Sequence, residues 1–201
     1  MTSILTGDLI GSRKTKPEIW LAPLQALLAS KGSMPKYWEI YRGDQFQLEI
    51  TDPSEALLTA IEIKALLRSC GTDVRIGVGL GEKTLASEKI TQSNGPAFVR
   101  SGEVFESLKK IKTTLAIKSG DPDFDATFNL MLRLALTIMD HWPVPAATYV
   151  SAAVAHPEWS QEEMGQKLGI SQAAVSRRRK RAYYDLILEL DQLYRKNIAS
   201  W

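Results

Sequence analysis

The stretch that most constrains this chain is EWSQEEMGQKLGISQAAVSRRRKRA, from Glu158 to Ala182. Ser160 is a good N-cap, and Glu163 follows three residues on, as a reciprocal capping box requires. Met164 and Leu168 are four apart and share one helical face. Gly169 comes next, and glycine readily takes the left-handed conformation that ends a helix. Ile170 is an apolar plug in the turn. Ser171 caps a second helix with Ala174 and Val175 facing inward, and that helix runs on into Arg177, Arg178, Arg179, Lys180 and Arg181. A helix, a tight turn and a second helix opening on small polar residues is the pattern of a helix-turn-helix over residues 160–181. It points to double-stranded DNA as partner. Ser171, Gln172 and Ala173 are the candidates for base edges and the five cations the candidates for phosphates, with Ser176 a further candidate for DNA contact. The competing interpretation is a structural helical pair with a solvated basic face. An apolar residue is also expected three or four positions after Val175, where the chain has Arg178 and Arg179.

Composition narrows the rest. The net charge is +2, with 17 Lys/Arg against 17 Asp/Glu in residues 1–155 and 8 against 6 in residues 156–201, so the basic excess is local. A general polyanion-binding surface is therefore not indicated, and a local one is. Cys70 is alone and there are two histidines, which excludes an intrachain disulfide and disfavours zinc. No apolar run is long enough to span a bilayer. The N-terminal stretch lacks a basic segment followed by an apolar core, so no secretory signal is expected. A cytoplasmic location without membrane association follows as the expectation.

In chain order, SILTGDLIG opens as a strand that Asp8 ends or interrupts. Lys16–Lys31 has helical spacing. YWEIY (37–41) and QFQLEI (45–50) read as two strands of a hairpin around Arg42-Gly43-Asp44. A helix over 52–69, a strand over 73–80, a loop over 83–93, a helix from Gly95-Pro96 and a strand over 113–118 follow. Beyond Ser119-Gly120-Asp121-Pro122, the expected boundary, the chain reads as all helix. The expectation is an α+β protein: a ferredoxin-like sheet with helices in residues 1–120, then an all-α helix-turn-helix domain in 121–201.

Strand, helix, strand, strand, helix, strand is the ferredoxin-like order, which makes strands one and three antiparallel neighbours. That topology brings Asp8 and Asp44 to one edge of the sheet. Two close carboxylates repel unless a cation or a proton sits between them. Oxygen ligands with open positions suit magnesium. Ser12, Arg13, Lys14 and Arg42 are near in sequence and are the candidates for phosphate oxygens of a nucleotide or other phosphate-bearing ligand. The alternative is a strand-end aspartate and a hairpin-tip aspartate with unrelated local roles. Gly77 and Gly79 read as positions where another backbone comes close.

The segments GDLIGS (7–12), RGDQFQ (42–47), RIGVGLGE (75–82) and GPAFVRSG (95–102) look like the motif set of class III nucleotidyl cyclases, whose palm is related to that of diguanylate cyclases. The resemblance implies metal binding by Asp8 and Asp44, with the backbone carbonyl of Leu9. The positions that carry the family's transition-state asparagine and arginine hold Val99 and Glu103 here, and an acid opposes developing negative charge. Taken whole, with TGDLIGSR, YRGDQFQ and ISQAAVSRRRKRA, the chain resembles the bacterial SatD family over nearly its full length. The combined expectation is a homodimeric DNA-binding transcriptional regulator with a degenerate cyclase-like palm that senses ligand or metal, or dimerises. The alternative is a magnesium-dependent nucleotidyl enzyme with an appended helical domain.

Overall fold

The computed structural model describes residues 1–12 and 15–201; Arg13 and Lys14 lie outside the described residues. The chain is α+β. Five strands, β1 (Thr2–Ile10), β2 (Trp38–Tyr41), β3 (Gln45–Ile50), β4 (Asp73–Gly81) and β5 (Leu115–Lys118), form one sheet in the order β2-β3-β1-β4-β5. β1 runs antiparallel to both its neighbours, β3 and β4, and β2 runs antiparallel to β3, while β5 joins β4 in parallel. The helices are α1 (Pro17–Lys31), α2 (Ala56–Ser69), α3 (Pro96–Ile111), α4 (Pro122–Met139), α5 (Val144–Ala155), α6 (Gln161–Leu168), α7 (Gln172–Ala182) and α8 (Tyr184–Ile198).

β1 is buried from Thr2 to Leu9 because helices cover both sides of the sheet. One side of β1 meets α3: Ile4 clusters with Ala97 and Phe98, and the Thr6 and Ser101 hydroxyls lie 3.0 Å apart. On the other side, Leu5 and Leu9 enter the main core with Leu24 and Leu28 of α1 and Leu57 and Ile61 of α2. α3 approaches so closely that a Cβ on Gly79 would lie 2.1 Å from the Ala97 carbonyl oxygen, and one on Gly77 2.7 Å from the Phe105 nitrogen. The backbone approach expected at these glycines is therefore present. At the β5 edge, Asn129 of α4 acts as a substitute strand. It donates to the Ile117 carbonyl and accepts from the Ile117 N–H, both at 2.8 Å, which closes ladder positions that an edge leaves open.

Two local expectations change. Asp8 neither ends nor interrupts β1, which continues to Ile10 with Asp8 paired across to Gln45 and Arg75. The penalty for an aspartate in a strand is offset by the partner described below. The helix expected from Asp52 begins as a short 3-10 turn, Pro53–Glu55, with the Asp52 side chain accepting from the Ser54 N–H.

The core continues across the Ser119–Pro122 stretch. Trp142, Ala146, Ala147 and Val150 of the α4–α5 region, and Tyr194 of α8, belong to the same apolar cluster as the sheet and α2. Polar bonds follow the same seam. Buried Lys64 donates to Asp73 at 2.8 Å and to Asp140 at 2.6 Å. Arg68 donates to the Trp142 carbonyl from Nε (3.1 Å) and Nη2 (2.9 Å), and to Asp73 from Nη1 (3.0 Å). The Trp142 indole in turn donates to the Ala182 carbonyl at the end of α7, at 3.0 Å.

Candidate functional site

The α6–α7 pair is built by local chemistry. Ser160 Oγ accepts from the Glu163 N–H (3.2 Å), and Glu163 Oε2 accepts from the Ser160 N–H (2.8 Å), which completes the capping box. The bond from the Ser160 N–H, with the Ser160 hydroxyl beside it, holds the Glu163 carboxyl below its ordinary range. Gly169 is left-handed at φ 65°, so the chain reverses there without a Cβ clash. Gly165 is required for a different reason: a Cβ would stand 2.8 Å from the Ile170 carbonyl, where the turn crosses back over α6. Ser171 caps α7 through the Ala174 N–H (3.3 Å). Met164 and Val175 are buried between the two helices.

α7 then presents two faces. Val175 and Ala182 point inward. Ser171, Gln172 and Ala173 are exposed at its start, followed by exposed Arg177, Lys180 and Arg181, while Ser176 and Arg178 are half-buried at the flanks. Arg179 is the member of the basic run that turns away from this surface. Its Nε donates to Asp185 at 2.9 Å, its Nη2 also contacts that carboxylate, and its guanidinium sits 5.6 Å from the Tyr184 ring centroid. Tyr184 packs edge-on against Tyr149, with centroids 5.5 Å apart. Burial pushes the Tyr184 phenol up to about 12 and that of Tyr149 upward as well. The bond from Arg179 holds the Asp185 carboxyl below its usual value. The slot where an apolar residue is expected is thus filled by an arginine lying over aromatic rings, its charge met by an acid one helix later.

The aspartates part company. Their backbones meet, with the Leu9 N–H donating to the Asp44 carbonyl at 3.3 Å. Their carboxylates do different work. The Asp8 side chain, on the α3 side, is gripped by Arg75 through both oxygens, Nε at 2.8 Å and Nη2 at 2.7 Å. Asp44 instead accepts from the Ser12 hydroxyl at 2.6 Å. It borders a cleft of about 550 Å³ with Ser12, Thr15, Lys16, Trp20, Arg42 and Gly43 at the start of α1. Both Asp8 oxygens are held by a guanidinium, so a cation shared with Asp44 would require that pair to open. No cluster of three or more His, Cys, Asp or Glu suited to a metal occurs among the described residues. Arg42, left-handed at φ 52°, is exposed at the hairpin beside the cleft. Arg13 and Lys14 lie outside the described residues. Glu103 pairs with Lys118 at 2.6 Å, and Val99 is exposed.

Three residues escape a reading by motif. Arg75 opens the RIGVGLGE segment, but its register opposite Asp8 needs the strand order. Lys16 reads as a helix start, and its place in the cleft depends on where the β2–β3 hairpin packs. Trp20 lines the same cleft at 2% exposure, and its buried indole N–H finds no acceptor among the described residues. No helix among the described residues is long and apolar enough to cross a membrane. Comparison with protein-family models, with curated proteins and with solved structures finds no match.

Proposed function

We propose that this chain is a DNA-binding transcriptional regulator in which α6 and α7 form a helix-turn-helix and the sheet carries a cleft for a phosphate-bearing small ligand. The observation that carries the reading is the division of α7 into two faces. Val175 and Ala182 anchor one, while Ser171, Gln172, Ala173, Arg177, Lys180 and Arg181 are exposed on the other. Small residues at the helix start let the backbone approach base edges, and the cations beyond them suit phosphates on either side of the groove. The β2-β3-β1-β4 order, with β1 and β3 as central antiparallel neighbours, supports a ferredoxin-like plan to which β5 is added. It is in keeping with a SatD-type chain whose palm is related to that of the nucleotidyl cyclases. A cytoplasmic location goes with that reading.

The cleft supports the sensing half. Lys16 and Arg42 supply positive charge and donors, and Trp20, whose indole N–H has no acceptor among the described residues, lines the same space. The Arg75 grip on Asp8 and the Lys118-paired Glu103 count against magnesium-dependent nucleotidyl transfer.

The test is selection of genomic fragments by the purified protein at about 150 mM salt, followed by sequencing and footprinting. A recurrent sequence with a protected footprint is the expected result. Binding that bulk DNA competes away completely, or a footprint unchanged after Arg177, Lys180 and Arg181 are all replaced by glutamine, refutes the reading. For the cleft, nucleotides and inorganic phosphate, with and without Mg²⁺, are expected to raise the melting temperature of the wild type and not of Trp20→Phe/Arg42→Ala. A shift in neither protein removes the sensing role.

A further inference from the structure

The last two long helices leave an apolar ridge in water. α4 and α8 pack antiparallel: Phe124 and Phe128 of α4 lie against Tyr194 near the end of α8, with ring centroids 6.2 and 5.7 Å apart. At the other end, Ile138 of α4 and Leu186 of α8 line one groove of about 510 Å³. Along the outside of this pair Leu130 is 52% exposed, Leu134 63%, Leu186 54% and Leu193 39%. Four neighbouring leucines exposed to this extent amount to an apolar patch on the order of a few hundred Å², the upper range for a protein that stays alone. A stable two-fold interface needs roughly 800 Å² from each partner, with an apolar centre and a polar rim. The ridge supplies such a centre.

The rim is self-complementary. Glu189 and Lys196 are seven residues apart, so they fall on the same flank of α8, with Leu186 and Leu193 beside them. Neither makes an intramolecular ion pair among the described residues; the salt bridges of α8 are those of Asp185 with Arg179 and of Asp191 with Arg195. When two copies of a helix pack antiparallel about a two-fold axis, like flanks face each other and the sequence reads in opposite directions. Glu189 of one copy then meets Lys196 of the other, twice, with Leu193 close to the axis. A parallel two-fold arrangement sets unlike flanks against each other, so Glu189 and Lys196 do not meet.

We propose that the α4/α8 face seats a second copy of this chain in an antiparallel two-fold contact, forming a four-helix bundle with Leu193 near the axis and two Glu189–Lys196 pairs at its rim. The contact is independent of the DNA reading, because nothing in it involves α6 or the free face of α7. It bears on that reading all the same: Tyr183 alone separates α7 from α8, so this axis fixes the separation of the two α7 helices.

Sedimentation equilibrium of the whole chain, without DNA, is the test. The wild type is expected to be a dimer at micromolar concentration. Glu189→Lys and Lys196→Glu each place like charges at both rim sites and are expected to raise the dissociation constant on the order of tenfold or more. A mixture of those two variants pairs opposite charges at both sites again and is expected to restore dimerisation, as is the double variant in one chain. Leu134→Glu, at an exposed position, is expected to be monomeric with an unchanged circular-dichroism spectrum. A monomeric wild type, single charge variants that dimerise like the wild type, or a mixture that fails to recover overturns the proposal. Leu193→Cys adds a check on the axis: oxidation is expected to give a covalent dimer, and none above the wild-type level, whose only cysteine is Cys70, counts against it.

Discussion

The basic run on α7 gives a prediction that separates its members. Arg177, Lys180 and Arg181 are exposed on one face, whereas Arg179 is bound to Asp185. Each lysine or arginine that neutralises a DNA phosphate releases a counterion, and the slope of log K against log salt steepens by about 0.9 per contact. Replacing Arg177, Lys180 and Arg181 by glutamine is therefore expected to flatten the slope by about 2.7 for each α7 engaged. Between 50 and 200 mM salt the wild type then loses about 40-fold more affinity than the triple variant. Arg179→Gln removes the same unit of charge but no phosphate contact, so its slope stays that of the wild type. What it loses is stability, about 1 kcal/mol for an exposed ion pair together with the packing of the arginine stem. Fluorescence anisotropy across a salt series, with urea melts of the same proteins, measures both. An Arg179→Gln slope as flat as that of a single Lys180→Gln variant, or a triple variant with an unchanged slope, refutes the assignment of faces.

Three further outcomes are expected. Gly79→Ala drives a methyl into the Ala97 carbonyl and forces α3 off the sheet, lowering stability by roughly 1–3 kcal/mol or more in urea melts, while Gly102→Ala, with nothing within 4 Å of its new Cβ, is tolerated. Arg75→Ala leaves Asp8 buried and unpaired, costing on the order of 3 kcal/mol, and Asp8→Ala made in the same chain recovers much of it; a double variant as unstable as the single one argues against the pair. Acidification is expected to loosen α6 and the α7–α8 junction. Glu163 and Asp185 both have depressed folded-state values, so their contribution is complete above the ordinary carboxylate range and disappears as pH falls through the folded-state values. Amide exchange in α6 and at the α7–α8 junction should therefore accelerate below about pH 4, and rates there that are indifferent to pH relative to the sheet contradict it.

What was legible in the sequence was local. The capping box at Ser160, the reversal at Gly169 and the cap at Ser171 are each set within five residues, so α6, its turn and the start of α7 can be read directly. The hairpin signal around Arg42-Gly43-Asp44 placed β2 and β3, and the glycines at 77 and 79 marked the close approach of another backbone, that of α3. What was not legible depends on partners distant in sequence. Asp8 looks like a strand breaker until β4 sets Arg75 beside it, 67 residues on. Asp8 and Asp44 look like one site because their backbones meet, but their carboxylates are held by Arg75 and Ser12 respectively. Arg179 looks misplaced in an inward slot until Tyr149 of α5 and Tyr184 and Asp185 of α8 close around it. In each case the deciding energy is an ion pair or hydrogen bond between elements, and periodicity carries no record of it.

The same distinction explains how α7 is held. Its apolar anchors, Val175 and Ala182, belong to the core that runs through α5 and α2 to the sheet. Apolar packing supplies most of the stability but little direction. Direction comes from bonds with defined geometry. Trp142 sits at the centre of them, its carbonyl taken by Arg68 of α2 and its indole N–H given to the last carbonyl of α7. Arg68 and Lys64 both hold Asp73 at the start of β4, two residues from the arginine that grips Asp8. Each bond contributes only about 1 kcal/mol, or somewhat more where an ion takes part, but none can shift without leaving a half-buried charge or carbonyl unpaired. The end of α7 is therefore registered to the sheet through one tryptophan and one arginine, and the part of the chain that looks appended in sequence is built into the same frame.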